Sequence, residues 1–309
     1  MTKVFIDGRA GTTGLRIQER LEARPDIELI TLPEELRKDA LSRKEAMLES
    51  DITFLCLPDQ AAVEAMELVT EKTKIIDTST AHRVDPLWTY GFPELKDQRP
   101  KIQNATRIAN PGCHASGFIA LVAPLVASGL LSPDVSLSAF SVTGYSGGGK
   151  KMIESYEDEN RDPSLDAPRQ YALTQNHKHL PEMVRYAKIS QTPVFCPIVS
   201  DFYAGMTVTV PVFASWIRGS VQDVKDVYKN YYAGPLIRYE DHLDPMLPSN
   251  DFDGSDDMVL SVLGNEERIL LTARDDNLGK GASGAAIQNM NILLGLPETT
   301  GLVLRRNIT

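Results

Sequence analysis

The stretch Lys3-Val4-Phe5-Ile6-Asp7-Gly8-Arg9-Ala10-Gly11-Thr12-Thr13-Gly14 decides the fold at the start of the chain. A short apolar strand runs into a turn with G-x-x-G-x-x-G spacing, and Leu15–Ala23 then reads as a helix. Glycine lets a backbone approach a pyrophosphate closely, and a helix N-terminus adds free N–H groups and partial positive charge. The stretch therefore predicts a dinucleotide site formed by Gly8, Arg9, Ala10, Gly11, Thr12, Thr13 and Gly14.

Strands and helices continue to alternate after this turn, which supports the dinucleotide interpretation. The pattern predicts strands at Ile27–Leu32, Asp51–Leu57 and Lys74–Asp77, with helices at Leu36–Glu49 and Gln60–Thr70. Such alternation implies right-handed crossovers and a parallel sheet of the Rossmann type. Ligands of these sheets bind at the carboxyl ends of the strands, so Pro58 and Ser79 are predicted to face the cofactor.

The tip of the second strand favours NADP over NAD. No carboxylate stands there to accept the ribose 2′-hydroxyl, as an NAD site would require. Arg9 lies in the glycine turn, and Arg37 and Lys38 follow the strand, so these cations could meet a 2′-phosphate. The alternative is that they are solvated surface cations.

A second informative stretch is Asn110-Pro111-Gly112-Cys113-His114-Ala115-Ser116, which ends a polar run and opens a long apolar one. Apolar positions at helical spacing after Pro111-Gly112 predict a turn followed by a helix. Cys113 would then lie near a helix N-terminus, where the pKa of a thiol falls from about 8.5 to roughly 3.5–7.5. The alternative is that Cys113 is a small buried residue.

The segment Tyr171–Glu182 contains the sequence His177-Lys178-His179-Leu180-Pro181-Glu182. Pro181 suits the first turn of a helix, so His179 would lie just before that helix. Glu182 would lie one turn on, close enough to orient the imidazole. Two histidines at this spacing can also bind metal, but no other clustered ligands accompany them, and no metal is predicted.

The glycine-rich segment Thr143–Lys151 permits two interpretations. Its four glycines, serine and two lysines could form an anion-cradling loop, or they could be a flexible hairpin tip. It lacks the G-K-[ST] ending of a nucleotide P-loop.

The domain organisation follows from where the pattern changes. Residues 1–114 form the Rossmann-type nucleotide-binding domain, and the C-terminal helical region 275–309 completes it. The strand-rich residues 115–274 form an inserted α+β domain for catalysis and oligomerisation. The fold class is therefore α/β plus α+β.

Composition restricts the partners and the compartment. The 309 residues carry a formal net charge of −10 and no long basic run, which disfavours nucleic acid. No apolar segment reaches membrane-spanning length, and the first residues read as a strand rather than a signal peptide. The three widely spaced cysteines offer no disulfide framework, so a reducing cytoplasm is expected.

Together these segments resemble the N-acetyl-γ-glutamyl-phosphate reductases in their shorter form, within the semialdehyde dehydrogenase superfamily. Four pieces in this order carry the resemblance. They are Tyr90-Gly91-Phe92-Pro93-Glu94, Asn110-Pro111-Gly112-Cys113, His177-Lys178-His179-Leu180-Pro181-Glu182 and Asp276-Asn277-Leu278-Gly279-Lys280-Gly281-Ala282. The chain departs from the family at His114, where an aromatic residue is common, and at Arg9-Ala10 inside the glycine turn.

The resemblance implies a cysteine-dependent reduction of an acyl phosphate by NADPH, in arginine biosynthesis. Cys113 would be the nucleophile that forms a thioester, with His179 as general acid and base and Glu182 as its support. It further implies substrate contacts at Arg83, Ser146, Gly147, Tyr171 and His177. It implies cofactor contacts at Asn277, Lys280 and Gly281. The family also suggests a homodimer or homotetramer, although the alternating strand Met206–Val212 could serve an interface or a core.

Three alternatives stay open. A reductase of another acyl phosphate, of the aspartyl or aminoadipyl type, would share the cofactor, the thioester and the fold. A cysteine hydrolase or acyltransferase would use Cys113 and His179 without redox chemistry, although the nucleotide-binding half argues against it. A nucleotide-sensing protein without catalysis is the third.

Overall fold

The structure is a computed structural model that describes residues 1–305 and divides into two units. The first unit consists of Met1–Pro111 and Ala282–Leu302, and the second of Gly112–Gly281 with the described residues from Val303. Of the region 275–309 that was predicted to complete the first domain, Arg306–Thr309 lie outside the described residues. Within residues 1–305, no helix is both long and apolar enough to cross a membrane.

The strands and helices are numbered in chain order. The strands are β1 (Thr2–Asp7), β2 (Ile27–Ile30), β3 (Ile52–Leu55), β4 (Ile75–Asp77), β5 (Thr89–Tyr90), β6 (Arg107–Ala109), β7 (Ser138–Gly144), β8 (Arg169–Gln170), β9 (Val194–Ser200), β10 (Met206–Phe213), β11 (Ile237–Tyr239), β12 (Met258–Gly264) and β13 (Arg268–Asp275). The α-helices are α1 (Thr12–Glu22), α2 (Ala40–Glu49), α3 (Asp59–Ala65), α4 (Gln98–Gln103), α5 (Cys113–Ala127), α6 (Lys150–Glu157), α7 (Leu180–Ala187), α8 (Val221–Tyr231) and α9 (Gly284–Leu293). A π-helical turn, Gly279–Ser283, precedes α9.

The first unit is built on a parallel sheet of six strands, which confirms the predicted Rossmann-type architecture. Its strand order is β2-β1-β3-β4-β6-β5. β1 ends at Asp7, and the chain turns at Gly8, whose φ is +90°. A Cβ at Gly8 would lie 2.3 Å from the carbonyl oxygen of Cys56, so only glycine fits where this turn passes the end of β3.

The second unit is built on a mixed sheet of seven strands in the order β11-β12-β13-β10-β7-β9-β8. α5 packs against β10 and β13, and it also contacts α7 and α8. Residues 114–125 of α5 are therefore all buried. This unit confirms the predicted α+β class for the middle of the chain.

Pro124 lies inside α5 and cannot donate the backbone hydrogen bond that the carbonyl of Ala120 would otherwise accept. The Tyr232 hydroxyl donates to that carbonyl at 2.8 Å. The Tyr228 hydroxyl donates to the next carbonyl, that of Leu121, at 2.7 Å. Because both acceptors are satisfied, the buried helix tolerates its proline.

The structure differs from the sequence-based predictions at the ends of several elements: for example, the helix predicted at Gln60–Thr70 ends at Ala65. The helix predicted from Leu36 begins at Ala40, because the Asp39 side chain accepts from the Ser42 N–H at 2.8 Å and caps it there. The segment after β7, for which an anion-cradling loop and a hairpin tip were both open, is a 3-10 helix, Tyr145–Gly148, followed by α6. No hairpin forms because β7 pairs in parallel with β9 and antiparallel with β10.

β13 ends in a buried carboxylic acid, Asp275. Within residues 1–305, neither of its carboxyl oxygens has a hydrogen-bond partner. Burial raises the pKa of Asp275 well above its usual value, and the neighbouring Asp276 raises it further, whereas Lys280 opposes the shift. The folded protein therefore holds a proton on Asp275 at pH values where the unfolded chain releases it.

We predict that Asp275→Asn makes stability less sensitive to rising pH. Above the unfolded pKa of about 3.9, the native state binds the proton that the unfolded state has lost, so the free energy of unfolding of the wild type falls as pH rises. The variant lacks this group, and its advantage over the wild type should grow by up to about 1.4 kcal/mol per pH unit in that window. Urea unfolding between pH 5 and 8 measures the difference.

Asp226→Asn, at an exposed position on α8, is the control, and its free energy of unfolding should follow that of the wild type across this pH range. A constant difference between Asp275→Asn and wild type across this range would contradict the assignment.

Candidate active site

Cys113 is the first residue of α5, as its position after Pro111-Gly112 predicted. Gly112 is the N-cap residue, with an extended backbone at φ −82° and ψ 145°. The N–H of Ser116 closes the first helical turn on the Gly112 carbonyl at 2.8 Å. The Cys113 side chain is half-buried and lies at the end of the helix where the backbone N–H groups have no helical acceptors.

The start of α5 is tied to the start of α7 by a buried hydrogen bond. The backbone N–H of Gly112 donates to Oε2 of Glu182 at 3.1 Å. Glu182 lies in the first turn of α7, and only 1% of its surface is exposed. His179 is the N-cap residue of α7, which confirms its predicted place just before that helix. One carboxylate thus holds the backbone beside Cys113 and belongs to the helix that carries His179.

Three histidines and a phenylalanine form a cluster beside this junction. The ring centres of His177 and His179 are 4.7 Å apart, and those of His114 and His179 are 5.5 Å apart. Nδ1 of His177 accepts from the backbone N–H of His179 at 3.1 Å, so the proton of the neutral His177 ring is on Nε2. Phe195 packs edge-on against both His114 and His177, at centre distances of 5.4 and 5.1 Å.

His114 links two hydroxyl groups. Its Nδ1 lies 2.7 Å from the Ser141 hydroxyl, and its Nε2 lies 2.6 Å from the Tyr171 hydroxyl. Complete burial lowers the pKa of His114 to about 3, with a smaller contribution from His177. His114 is therefore neutral at physiological pH. The sequence had singled it out only as a departure from the family, without a role.

Tyr171 connects the cluster to the cysteine. Burial raises the pKa of its hydroxyl well above 10, and the charge of Cys113 raises it further. Tyr171 is therefore a neutral phenol that lies within electrostatic range of the Cys113 sulfur. The structure thus brings together Cys113, Tyr171, His177, His179 and Glu182, which were singled out along the sequence.

Gly281 lies directly against Cys113. A Cβ at position 281 would lie 2.7 Å from the Cβ of Cys113 and 3.1 Å from the carbonyl oxygen of Asp276. The sequence had assigned Gly281 to the cofactor on resemblance, and that role stays a prediction. Its neighbour Lys280, also assigned to the cofactor, is buried.

Asn277, Ser146 and Gly147 are brought together in the second unit. The amide nitrogen of Asn277 donates to the Ser146 hydroxyl at 2.9 Å, and its oxygen accepts from the Gly205 N–H at 2.9 Å. A Cβ at Gly147 would lie 3.3 Å from the same amide nitrogen. Asn277 therefore orders the segment that holds Ser146 and Gly147, and its predicted contact with a cofactor is not tested by these bonds.

Arg83 is buried in the first unit. Its Nε donates to the carbonyl of Asn110 at 2.9 Å, and one of its terminal nitrogens donates to the carbonyl of Thr78 at 3.2 Å. It thus holds the backbone immediately ahead of Pro111. Its predicted substrate contact stays a prediction.

A cavity of about 440 Å³ in the first unit lies over the glycine turn. Gly8, Arg9, Ala10, Gly11 and Pro58 line it, and their contact with a cofactor stays a prediction. Thr12, Thr13 and Gly14 instead begin α1, and Ser79 bonds to the buried carboxylate of Asp77 at 2.7 Å.

Part of the lining of this cavity is basic. Arg37, Lys38 and Arg43 line it together with Leu32, two residues after β2. Arg43, which the sequence analysis had not singled out, donates to the buried carboxylate of Asp7 at 2.7 Å. Arg37 pairs with Glu34 at 2.9 Å. Two of these cations thus already have carboxylate partners within residues 1–305.

Comparisons with known proteins agree across the chain. Residues 3–105 match the NAD binding domain of semialdehyde dehydrogenases, and residues 113–277 match their dimerisation domain. An N-acetyl-γ-glutamyl-phosphate reductase from Brucella ovis is 45% identical over 95% of this chain and 99% of its own length. The enzyme of that name from Brucella canis is equally similar, at 45% identity over the same shares.

Solved structures share the fold at lower identity. Aspartate semialdehyde dehydrogenase II from Vibrio cholerae superposes with a TM-score of 0.71 at 16% identity, over 95% of this chain and 98% of that one. Aspartate semialdehyde dehydrogenase with NADP from Candida albicans gives a TM-score of 0.69 at 17% identity, over 95% and 98%. The two domain matches and the 45% identity over nearly the whole length place the chain in the N-acetyl-γ-glutamyl-phosphate reductase family of the semialdehyde dehydrogenases.

Proposed function

We propose that this protein reduces N-acetyl-L-glutamyl 5-phosphate to N-acetyl-L-glutamate 5-semialdehyde and phosphate with NADPH, in arginine biosynthesis. The observation that carries the proposal is Cys113 at the start of α5, with its turn bonded to Glu182 and with His179 at the start of α7. A half-buried thiol at a helix N-terminus is activated as a nucleophile, and a base on the helix bonded to its turn can accept its proton. The close relatives carry the name of this reaction.

The first step is acyl transfer to the cysteine. The Cys113 sulfur attacks the γ-carbonyl carbon, and the bond from that carbon to the phosphate oxygen breaks. Phosphate leaves, and the acyl group stays on Cys113 as a thioester. The helix N-terminus stabilises the thiolate because its N–H groups and dipole favour negative charge. His179 accepts the thiol proton. Glu182 assists this proton transfer because it fixes the turn that carries the thiol.

The second step is reduction of the thioester. NADPH, when bound, supplies a hydride to the carbonyl carbon. The bond from carbon to sulfur then breaks, which releases the semialdehyde and restores the thiolate of Cys113. Covalent capture divides one difficult reduction into two easier steps. Arg83, Ser146, Gly147, Tyr171 and His177 are proposed to contact the substrate during both steps.

We predict that Cys113→Ser abolishes this reaction while nucleotide binding persists. The oxygen is a weaker nucleophile and a poorer leaving group than the thiolate, so activity should fall at least about a thousandfold. The phosphate-dependent oxidation of N-acetylglutamate semialdehyde, followed by NADPH formation, measures it, and quenching of protein fluorescence measures nucleotide binding. Cys196→Ser is the matched control and should keep full activity.

The same assay distinguishes the substrate. Aspartate semialdehyde run side by side should be oxidised far more slowly by the wild type. Faster oxidation of aspartate semialdehyde would favour the alternative of an aspartyl-phosphate reductase. Activity of Cys113→Ser near the wild-type rate would overturn the thioester mechanism.

We propose that the cofactor is NADP(H) rather than NAD(H). The support is the basic part of the lining of the cavity over the glycine turn, where Arg37 and Lys38 are the cations next to β2. Arg9 lies in the same cavity, with one terminal nitrogen 3.4 Å from the Leu32 carbonyl. Hydrogen bonds between these groups and a phosphate are charge-assisted and geometrically specific.

We predict that the double substitution Arg37→Ala/Lys38→Ala weakens discrimination between the two cofactors. Each lost charge-assisted bond is worth about 1.5–3 kcal/mol, so kcat/KM for NADPH should fall at least about tenfold while that for NADH changes little. Steady-state kinetics with both nucleotides gives the ratio. Lys44→Ala, an exposed lysine on α2 outside the cavity, should leave the ratio unchanged. An equal loss with both nucleotides would place the 2′-phosphate elsewhere.

We propose that the protein is a homodimer or homotetramer held by the second unit's sheet. Phe140, Val194, Phe213 and Leu270 expose 45%, 57%, 53% and 41% of their surface. They share one face because Ser138 pairs with Val194, Phe140 pairs with Thr209, and Pro211 pairs with Leu270, while strand side chains alternate. Four large exposed apolar side chains on one face of a sheet are typical of an interface. The match to a dimerisation domain covers these strands.

We predict that Phe140→Asp/Leu270→Glu reduces the mass of the assembly. Two charges on each apolar face would be buried without partners if the faces met, so association should be lost. Sedimentation equilibrium at micromolar concentration measures the mass, and circular dichroism checks folding. Leu243→Asp, at a 95% exposed leucine outside this face, is the control. A monomeric wild type, or an unchanged mass for a folded double variant, would contradict the proposal.

The remaining partners and the compartment follow from charge and cysteines. We propose a small-molecule substrate and no nucleic acid, since the chain is net acidic at −10. We also propose a cytoplasmic location, with the support that Cys56, Cys113 and Cys196 form no disulfide within residues 1–305.

A further inference from the structure

We propose that Ser141 and His114 are positioning residues that orient the hydroxyl proton of Tyr171 toward a substrate oxygen above Cys113. This inference rests on the proposed function, because the oxygen belongs to the acyl phosphate that Cys113 attacks. The hydrogen-bond chain runs from Ser141 on β7, through the imidazole of His114 in the first turn of α5, to the phenol of Tyr171. All three side chains lie in the second unit.

The direction of the chain follows from the donors that must be satisfied. Ser141 is fully buried, and within residues 1–305 Nδ1 of His114, at 2.7 Å, is the hydrogen-bond partner of its hydroxyl. A buried hydroxyl whose proton has no acceptor costs free energy, so Ser141 donates to Nδ1. A neutral imidazole carries one proton, and that proton must then be on Nε2.

The Nε2 proton determines what Tyr171 can do. Nε2 of His114 donates to the Tyr171 oxygen at 2.6 Å, so the phenol's own proton cannot point at the imidazole. It is directed to another side of the oxygen, and the ring of Tyr171 is only half-buried. The charge of Cys113 contributes to the raised pKa of Tyr171, so the phenol lies within electrostatic range of the sulfur. Tyr171 is thus a donor whose proton is available at the substrate.

The surroundings keep His114 in this arrangement. Phe195 and His177 pack edge-on against the His114 ring at centre distances of 5.4 and 5.6 Å, which restricts rotation of the imidazole. Burial keeps His114 uncharged, so the hydrogen-bond chain adds no net charge to the site. A fixed donor needs no reorganisation when negative charge develops on a substrate oxygen, which is the condition for electrostatic stabilisation.

A double-mutant cycle between His114 and Tyr171 tests the proposal. We expect Tyr171→Phe and His114→Phe each to lower kcat/KM for N-acetylglutamate semialdehyde at least tenfold. The double variant should be no worse than Tyr171→Phe, because His114 acts only through the phenol. His114→Gln, whose amide can donate near the position of Nε2, should recover part of the loss. Losses that multiply in the double variant would overturn the proposal, since they would mean that His114 contributes independently.

The kinetic parameter that changes identifies the oxygen. A loss in kcat at unchanged KM indicates the carbonyl oxygen, which becomes negative during attack, whereas a raised KM for phosphate in the oxidative direction indicates a phosphate oxygen. Either result supports a donor at the substrate. No change in any of these parameters for Tyr171→Phe would overturn the proposal.

A spectroscopic measurement tests the chain independently of activity. Nitrogen-15 shifts of the His114 ring in the intact protein should show the Nε2–H tautomer, without titration between pH 5 and 8. Ser141→Ala removes the donor to Nδ1 and should shift those resonances toward the other tautomer. A wild-type Nδ1–H tautomer would overturn the direction of the chain even if the reaction is as proposed. Conversely, the expected tautomer in a protein that fails the semialdehyde assay would count against the proposed function alone.

Discussion

The hydrogen bond from the Gly112 N–H to the Glu182 carboxylate is the constraint on which the site depends. It joins the first turns of two helices that are far apart in sequence, one beginning at Cys113 and the other just after His179. Glu182 is buried, so the carboxylate would be costly to leave there without donors. The same bond therefore serves stability and geometry. It fixes the turn before Cys113 relative to the first turn of α7.

Much of the architecture could be predicted because its determinants are local. The glycine turn after β1, the proline and glycine before Cys113, and Pro181 after His179 each act over a few residues. Alternation of strands and helices then gave the parallel sheet. Helix and strand limits were less accurate where a side chain decided them. Asp39, for example, begins α2 four residues after the predicted start.

The contacts between distant residues could not be predicted from the sequence. Ser141 was an unremarked serine in a strand, yet it bonds to His114 because β7 passes beside the first turn of α5. Arg43 looked like any surface cation on a helix, but it reaches the buried Asp7 at the end of β1. The nearness of Gly281 to Cys113 likewise depends on how residues after β13 return to α5. For these contacts, the sequence drew attention only to His114, because the family commonly has an aromatic residue at that position. It did not indicate which groups His114 bonds to.

The glycine beside Cys113 also limits how this enzyme can evolve. Every other amino acid at position 281 would bring a Cβ to 2.7 Å from that of Cys113, so either the first turn of α5 or the segment around position 281 would have to shift. A single substitution at position 281 therefore disturbs the surroundings of Cys113, whatever the substrate. New specificities in this lineage must arise from other side chains that line the site. A library of variants made to change the substrate should therefore keep this glycine.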